Sequence, residues 1–507
     1  MKILFIYPNL DSQIGFNYGI SIISSLLKKE GHKTKLINLN EKLGFDLDLN
    51  YIKREILSYQ PDLIGFSVVT NQYKFAKEIA DSIRKYWKSP VVCGGVHATM
   101  DPEGVLKDGL FDYACVGEGE DALLDLVHYL EKGKKATDIP NIWTKENGYI
   151  IKNPVRPFID LTRLPLKDYE LFDFQRMIDA KNGWVGLMVS RGCPFKCSYC
   201  FNHRIVEIYK NDLKVPANKL KYIRFHPHEQ VFKEIGYLLE RYKNIKTFIF
   251  DDDLFTYNRK YIEKFLSEYK IKVKVPFVVN GHVMVFDDKI ASLLKDAGCI
   301  IVKFGLESGS ERIRRDVLRR YMSNKKIEEA FRSADKKGIH TSAFVMIGIP
   351  KETKEDLFAT IDLIARIKPG RFRWSIFFPY KGTYAYTISE REGLIDYKKM
   401  FNLPNFTDES CLDFGEEHNL LIDKLAHIFP WYVNMRAGFP ASFIYEKRVK
   451  EIEQMGREKW DSFKKEVLYI DEELSKKALA IGSHHYAIKY NRFTAVKDDW
   501  YLGEQEN

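Results

Sequence analysis

Two separate series of short apolar runs, each alternating with segments of helical periodicity, constrain what this chain can fold into more than any other feature. Before about residue 145, apolar runs fall at 3–7, 36–39, 63–69, 91–93 and 113–116. Between them stand helix-spaced sets such as Ile20, Ile23, Leu26 and Leu27, or Phe75, Ala76, Ile79, Ala80 and Ile83. Strands joined through helices run parallel and are covered on both faces, so residues 1–145 are expected to form a doubly wound parallel sheet. Such sheets bind ligands beyond the carboxyl ends of their strands, where the polar and glycine-rich turns at 8–19, 67–72, 94–99 and 117–120 fall.

Residues 146–182, with Asn153-Pro154, Pro157 and Leu164-Pro165-Leu166, read as an extended connector, because each proline biases its predecessor away from helix. A second series then supplies six candidate strands, at 185–190, 247–250, 273–279, 300–304, 341–347 and 372–379. Helical patterns such as 327–337 and 354–367 intervene, and a partial (βα)6 barrel of the TIM type is expected over 183–385. The remainder, 386–507, is amphipathic and aromatic-rich and reads as a mainly helical cap. Its run Phe429-Pro430-Trp431-Tyr432 and cations such as Arg436 are expected to close over a substrate.

Composition agrees with several folded domains in 507 residues: 45% hydrophobic and 29% charged residues exclude a disordered chain. Lysine and arginine exceed aspartate and glutamate by nine, but the excess is dispersed; an anionic ligand is favoured and nucleic acid is not. No run approaches the ~18 apolar residues of a membrane span. The start MKILFIYPNLD reads as a strand and turn rather than a signal peptide, so a cytoplasmic protein is expected.

Three of the seven cysteines, Cys193, Cys197 and Cys200, crowd into SRGCPFKCSYC directly after the first barrel strand. That is the end where such barrels keep their chemistry. Three thiolates suit an iron-sulfur cluster with one open iron, a zinc site completed by His203, or simply buried structural cysteines. Cys93, Cys115 and Cys299 read as small core residues, and Cys411 is undecided.

The CxxxCxxC spacing with Tyr199 between the last two cysteines resembles the radical S-adenosylmethionine (SAM) superfamily. The resemblance implies a [4Fe-4S] cluster on the three cysteines, SAM chelated at the open iron, and a 5′-deoxyadenosyl radical that abstracts hydrogen from an unactivated carbon. It further implies SAM contacts from Tyr199, from Glu307, Ser308 and Gly309 in GLESG, and from Gly348 and Pro350 in GIP. Phe378-Pro379 with Gly382-Thr383 matches the closing turn of that family.

PDLIGFSVVT, VVCGGVHATMDPE and DYACVGEGE resemble the N-terminal domain of the cobalamin-binding members, extending the likeness over residues 1–385. The implied cobalamin contacts are Ser67, Val69, Thr70, Gly94, Gly95, His97, Gly117 and Glu118. No DxHxxG motif is present, so a corrinoid would lack that histidine ligand, and His97 is read as a hydrogen-bonding or packing residue. His282, in NGHV where the resemblance implies an arginine, and Asp252, in the triplet Asp251 to Asp253, are candidate substrate contacts; two of the three aspartates are expected to be structural, capping the helix near Asn258.

The implied activity is methylation of an unactivated carbon by way of methylcobalamin. The alternatives are a radical cyclase, a rearranging or dehydratase- or reductase-like enzyme without methyl transfer, and a non-catalytic corrinoid or metal carrier. The implied partners are a small-molecule or peptide substrate and an external one-electron donor such as flavodoxin or ferredoxin.

Overall fold

The computed structural model describes residues 1–403, 407 and 409–498. The first sheet holds β1 (Lys2–Pro8), β2 (Lys33–Leu39), β3 (Leu63–Ser67), β4 (Val91–Gly94), β5 (Tyr113–Cys115), β6 (Ile142–Glu146) and β7 (Tyr149–Ile151), in the order β2-β1-β3-β4-β5-β6-β7. β1 to β5 are parallel, as the alternation requires. Alternate residues of β1 serve opposite cores: Ile3 and Phe5 pack on one face, Leu4 and Ile6 on the other. β6 and β7 add an antiparallel hairpin to the edge, so the expected connector begins as paired strand rather than coil. Its turn is Asn147-Gly148, both residues at positive φ, the dipeptide that a tight hairpin favours.

The second sheet carries β8 (Trp184–Leu187), β11 (Thr247–Phe250), β12 (Phe277–Gly281), β13 (Cys299–Glu307), β14 (His340–Ile347) and β15 (Arg371–Ile376), all parallel. A short ribbon, β9 (Ser190–Arg191) with β10 (Arg224–Phe225), follows β8. The six-stranded half barrel matches the sequence reading, with the first and last strands ending early, at Leu187 and Ile376, and the third starting late. β12 begins at Phe277 rather than 273 because Val273 caps the helix Arg259–Lys272 and Lys274 turns to positive φ.

The C-terminal region is mainly helical, but its tail returns as β16 (Tyr486–Ile488) and β17 (Thr494–Lys497), a hairpin on the edge of β15. Phe429, Trp431 and Tyr432 are fully buried, Trp431 donating to Asp471 (2.6 Å). Arg436 pairs with Asp362 on the outside of the helix Lys354–Ile367 (2.9 Å). These residues therefore clad the barrel exterior; they do not roof a substrate. Among the described residues, no helix is long and apolar enough to cross a membrane.

The two sheets are welded. One apolar core runs from Ile3 and Phe5 through Tyr169, Phe172 and Phe174 to Val185 and Leu187. Tyr18 donates to Asp251 (2.8 Å), Lys381 pairs with Asp101 (2.8 Å), and Gly382, at positive φ, lies against the Met100 carbonyl. Such contacts turn the carboxyl edges of both sheets toward each other.

Candidate functional site

Cys193, Cys197 and Cys200 are free thiols in the loop after β9, and all three line one cavity of about 570 Å³ at the mouth of the half barrel. The loop runs straight into the helix Phe201–Leu213, with Cys200 at its N-cap. The acidic triplet positions this loop. Asp252, wholly buried, accepts from the Val189 N–H (3.1 Å) and from the Ser190 hydroxyl. Asp253 accepts from the Gly192 N–H (3.2 Å) before the first cysteine and from Asn202 Nδ2 (2.8 Å) after the last. Asp251 takes the interdomain Tyr18. Asp252 thus points into the protein rather than toward a substrate, and Asn258, not an aspartate, caps the next helix.

Burial pushes the Cys193 and Cys200 thiols up to about 11 and 12, so a bound cation is needed to make them thiolates. The three thiols line one wall of the cavity, and among the described residues no three His, Cys, Asp or Glu side chains are placed to hold a single metal ion. A four-iron cube spreads its ligands over separate corners, and three thiolates would leave one corner open. His203 turns away to Glu207 (3.3 Å) and completes no zinc site.

A buried arginine that sequence reading passed over organises the other side. Arg320 donates to Cys197 Sγ (3.4 Å), the Tyr199 hydroxyl (3.2 Å) and the Gly305 carbonyl, and stands 4.0 Å from Glu307. Nothing local marks it in the sequence, where it is one of several arginines in ERIRRDVLRRYM.

Glu307 sits at positive φ beside a bulge in the β13–β14 pairing, which swings its carboxylate into the cavity. Burial raises its pKa despite the Arg320 charge and the Tyr199 hydrogen bond. Its neighbours go elsewhere. Ser308 and Gly309 bond Thr360, and a Cβ on Gly309 would collide with the Ala359 carbonyl; both glycine and serine serve packing against the helix Lys354–Ile367. The N–H groups of Gly348 and Ile349 donate to buried Glu352 (2.7 and 3.1 Å), and neither Gly348 nor Pro350 lines the cavity.

His282 lines it, stacked on Phe195 at 3.8 Å. Its Nδ1 accepts from the Met284 N–H (3.2 Å), which puts the ring proton on Nε2. Burial and the Arg320 charge lower its pKa to about 3, so the imidazole is neutral. The far end is formed by Phe344, Met346, Arg373, Trp374 and Phe493, with Arg373 over the Phe493 ring (5.0 Å). The lining, apolar with a few convergent polar groups, fits a nucleoside-bearing ligand and a substrate beside it.

Across the interface, Ser67, Val69, Thr70, Gly94 and Gly95 lie at the carboxyl ends of β3 and β4. Val69 is 44% exposed, an apolar side chain left open at this edge. His97 reaches Thr70 through Nδ1 (3.4 Å) and packs on Tyr73 (4.0 Å), while its buried Nε2 has no partner among the described residues. Gly95 is at positive φ, and its Cβ would strike the Val68 carbonyl at 2.6 Å. An open apolar edge with an orphaned ring nitrogen and backbone free of side chains fits the amide-fringed face of a corrin. Glu118, by contrast, faces the barrel: it pairs with Arg191 (3.0 Å) and Arg224 (2.8 Å) and accepts from the Ile159 N–H (2.8 Å). Gly117 packs under Tyr209. These two residues join domains.

Residues 187–364 match the model of the radical SAM superfamily, and 12–127 that of the B12 binding domain. An uncharacterized methyltransferase of Pyrococcus horikoshii is 30% identical over 400 residues, 76% of this chain and 82% of that protein. The anaerobic magnesium-protoporphyrin IX monomethyl ester cyclase of Rubrivivax gelatinosus is 25% identical over 472 residues, 88% of this chain and 80% of that protein. The cobalamin-dependent SAM radical enzyme OxsB, solved with aqua-cobalamin and SAM bound, shares the fold at a TM-score of 0.66 and 18% identity, covering 94% of this chain and 80% of that one. The chain belongs to the cobalamin-dependent radical SAM enzymes, whose cofactors are a [4Fe-4S] cluster, SAM and cobalamin.

Proposed function

We propose that this enzyme methylates an unactivated carbon of an apolar substrate bearing an acidic group. The observation that carries the reading is the apposition of the two carboxyl edges. A methyl carrier along Ser67, Val69, Thr70, Gly94 and Gly95 would face the cavity that holds the three cysteines. The likeness to a methyltransferase over most of both chains supports it.

In this reading Cys193, Cys197 and Cys200 hold the cluster, and Glu307, Tyr199 and Arg320 orient SAM. Asp252 and Asp253 hold the loop rigid, and neutral His282 offers an Nε2–H donor to the substrate or SAM. Arg373 and Lys303 receive an acidic group, while Phe344, Met346 and Phe493 surround an apolar body. The bound groups supply an electron, a cleavable sulfonium and a transferable methyl; the chain binds, aims and excludes water.

Anaerobically purified protein, analysed for iron, sulfide and corrinoid and then incubated with SAM, reductant and candidate substrates, tests this. The expected products are S-adenosylhomocysteine and 5′-deoxyadenosine together, with a product heavier by one CH2 unit. Formation of 5′-deoxyadenosine alone would replace methylation by the second reading, a radical cyclisation or rearrangement, which the cyclase likeness favours.

A further inference from the structure

The cysteine loop also has an outer face. Lys196, between Phe195 and Cys197, is exposed to solvent. The Ser198 N–H donates to the Leu318 carbonyl (3.0 Å), its hydroxyl to the Val317 carbonyl (2.6 Å), and the Ala385 N–H donates to the Ser198 carbonyl (2.9 Å). Three stretches of chain, 196–204, 317–321 and 384–385, therefore meet at one patch directly outside the cysteines.

That patch is aromatic and basic. Phe201, Tyr384 and Tyr321 are 41%, 44% and 70% exposed, and the Arg319 guanidinium lies 3.6 Å over the Tyr384 ring. Lys196, Arg204 and Arg319 are close enough to act together on His203, helping burial lower its pKa against the pull of Glu207. Among the described residues Glu207 pairs with His203 (3.3 Å) and Arg204 (3.1 Å). None of these cations or aromatics lines the substrate cavity, so the patch is no substrate entrance. Exposed tyrosines and arginines are the residues that interfaces favour, and a ring of like charge steers an oppositely charged partner.

Resting on the reading of the three cysteines as the cluster site, we propose that the surface around Lys196, Arg204, Arg319, Tyr321 and Tyr384 docks the external electron donor, a small acidic electron-carrier protein. With a flavodoxin as donor, the flavin hydroquinone gives up one electron and leaves as the semiquinone. The cluster takes that electron and passes from its oxidised to its reduced state. Lys196 adjoins Cys197 in the chain, so the patch begins one residue from the cysteine wall.

The test uses the full, cluster-loaded protein and the variants Arg319→Glu, Arg204→Glu and Tyr321→Ser, singly and combined. Flavodoxin affinity is measured by fluorescence titration over a range of salt. SAM cleavage is driven either by flavodoxin with its reductase and NADPH or by dithionite. Expected are salt-sensitive binding to the parent protein, a loss of about tenfold or more in affinity and flavodoxin-driven rate in the combined variant, and unchanged iron content and dithionite-driven rate. Should charge reversal unfold the protein, Tyr321→Ser alone carries the comparison.

Unaltered flavodoxin affinity and rate in the folded variants would overturn the proposal. So would a parental dimer that the variants dissociate, which would assign the patch to a second copy. A parent protein that cleaves no SAM with dithionite overturns the cluster reading instead, and the binding titration still decides the patch.

Discussion

Arg320 donates a charged hydrogen bond to the sulfur of Cys197, 3.4 Å away, across 123 positions of sequence. With a cluster thiolate at Cys197, the guanidinium would stabilise negative charge on the sulfur and would favour the reduced cluster.

Replacing Arg320 with Met removes that charge from a buried place. A charged hydrogen bond contributes roughly 1.5 to 3 kcal/mol, equivalent to about 60 to 130 mV for one electron. The cluster midpoint, measured by redox titration with EPR detection, is expected to fall by up to that amount. Lys at the same position is expected to recover part of it, and an unchanged midpoint would show that Arg320 only packs.

Glu118 ties the first sheet to the barrel through Arg191 and Arg224. Burial works against its charged form, but the hydrogen bonds and charges of the two arginines hold its carboxyl below the usual carboxylate range. Glu118→Ala leaves cations that lost a partner, and the expected destabilisation is about 3 kcal/mol. Denaturant midpoints should show it, and limited proteolysis should cut faster in the connector after Ile151.

Glu352 anchors the turn at Gly348 and Ile349, and burial raises its pKa from 4.5 to about 8. Because the folded value lies above the unfolded one, the stability it contributes is fully present below about pH 4.5 and lost as pH rises through about 8. Between those limits the slope is roughly 1.4 kcal/mol per pH unit. Glu352→Gln is expected to flatten this part of the denaturation profile; an unchanged profile would mean the carboxyl is already charged in the fold.

Gly117 holds positive φ with the Tyr209 hydroxyl pressed against the place a Cβ would take, whereas Gly148 holds positive φ with nothing within 4 Å. Alanine at either position carries the left-handed backbone cost, but only Gly117→Ala must also displace the buried Tyr209 ring, which is stacked on Phe158. It should therefore be destabilised by about 1 to 3 kcal/mol beyond Gly148→Ala, read from thermal midpoints.

Much of the fold was legible because its signals are local. The period of Ile3 to Tyr7 or of Ile79 and Ile83 is written within a few residues, and alternation with helices forces parallel strands. Cys193, Cys197 and Cys200 share one loop, so their spacing alone carries their chemistry to the same wall. Glu307, His282 and Tyr199 line the cavity. Their neighbours Ser308, Gly309 and Asp252 do not, because which way a side chain leaves a strand end depends on backbone torsion and on what packs behind it. At Glu307 a positive φ turns one residue inward and the next toward the helix Lys354–Ile367.

The sequence by itself determined the two parallel sheets, the cysteine loop at the mouth of the second, and the glycine-marked edge of the first, since propensity and spacing act over short stretches of chain. Only the tertiary structure decided that Arg320 meets Cys197, that Glu118 clasps the barrel, that Trp431 sinks against Asp471, and that the tail returns to pair with β15. Those partners are chosen by close packing and charge compensation between segments far apart in sequence, and no local pattern names the segment on the other side.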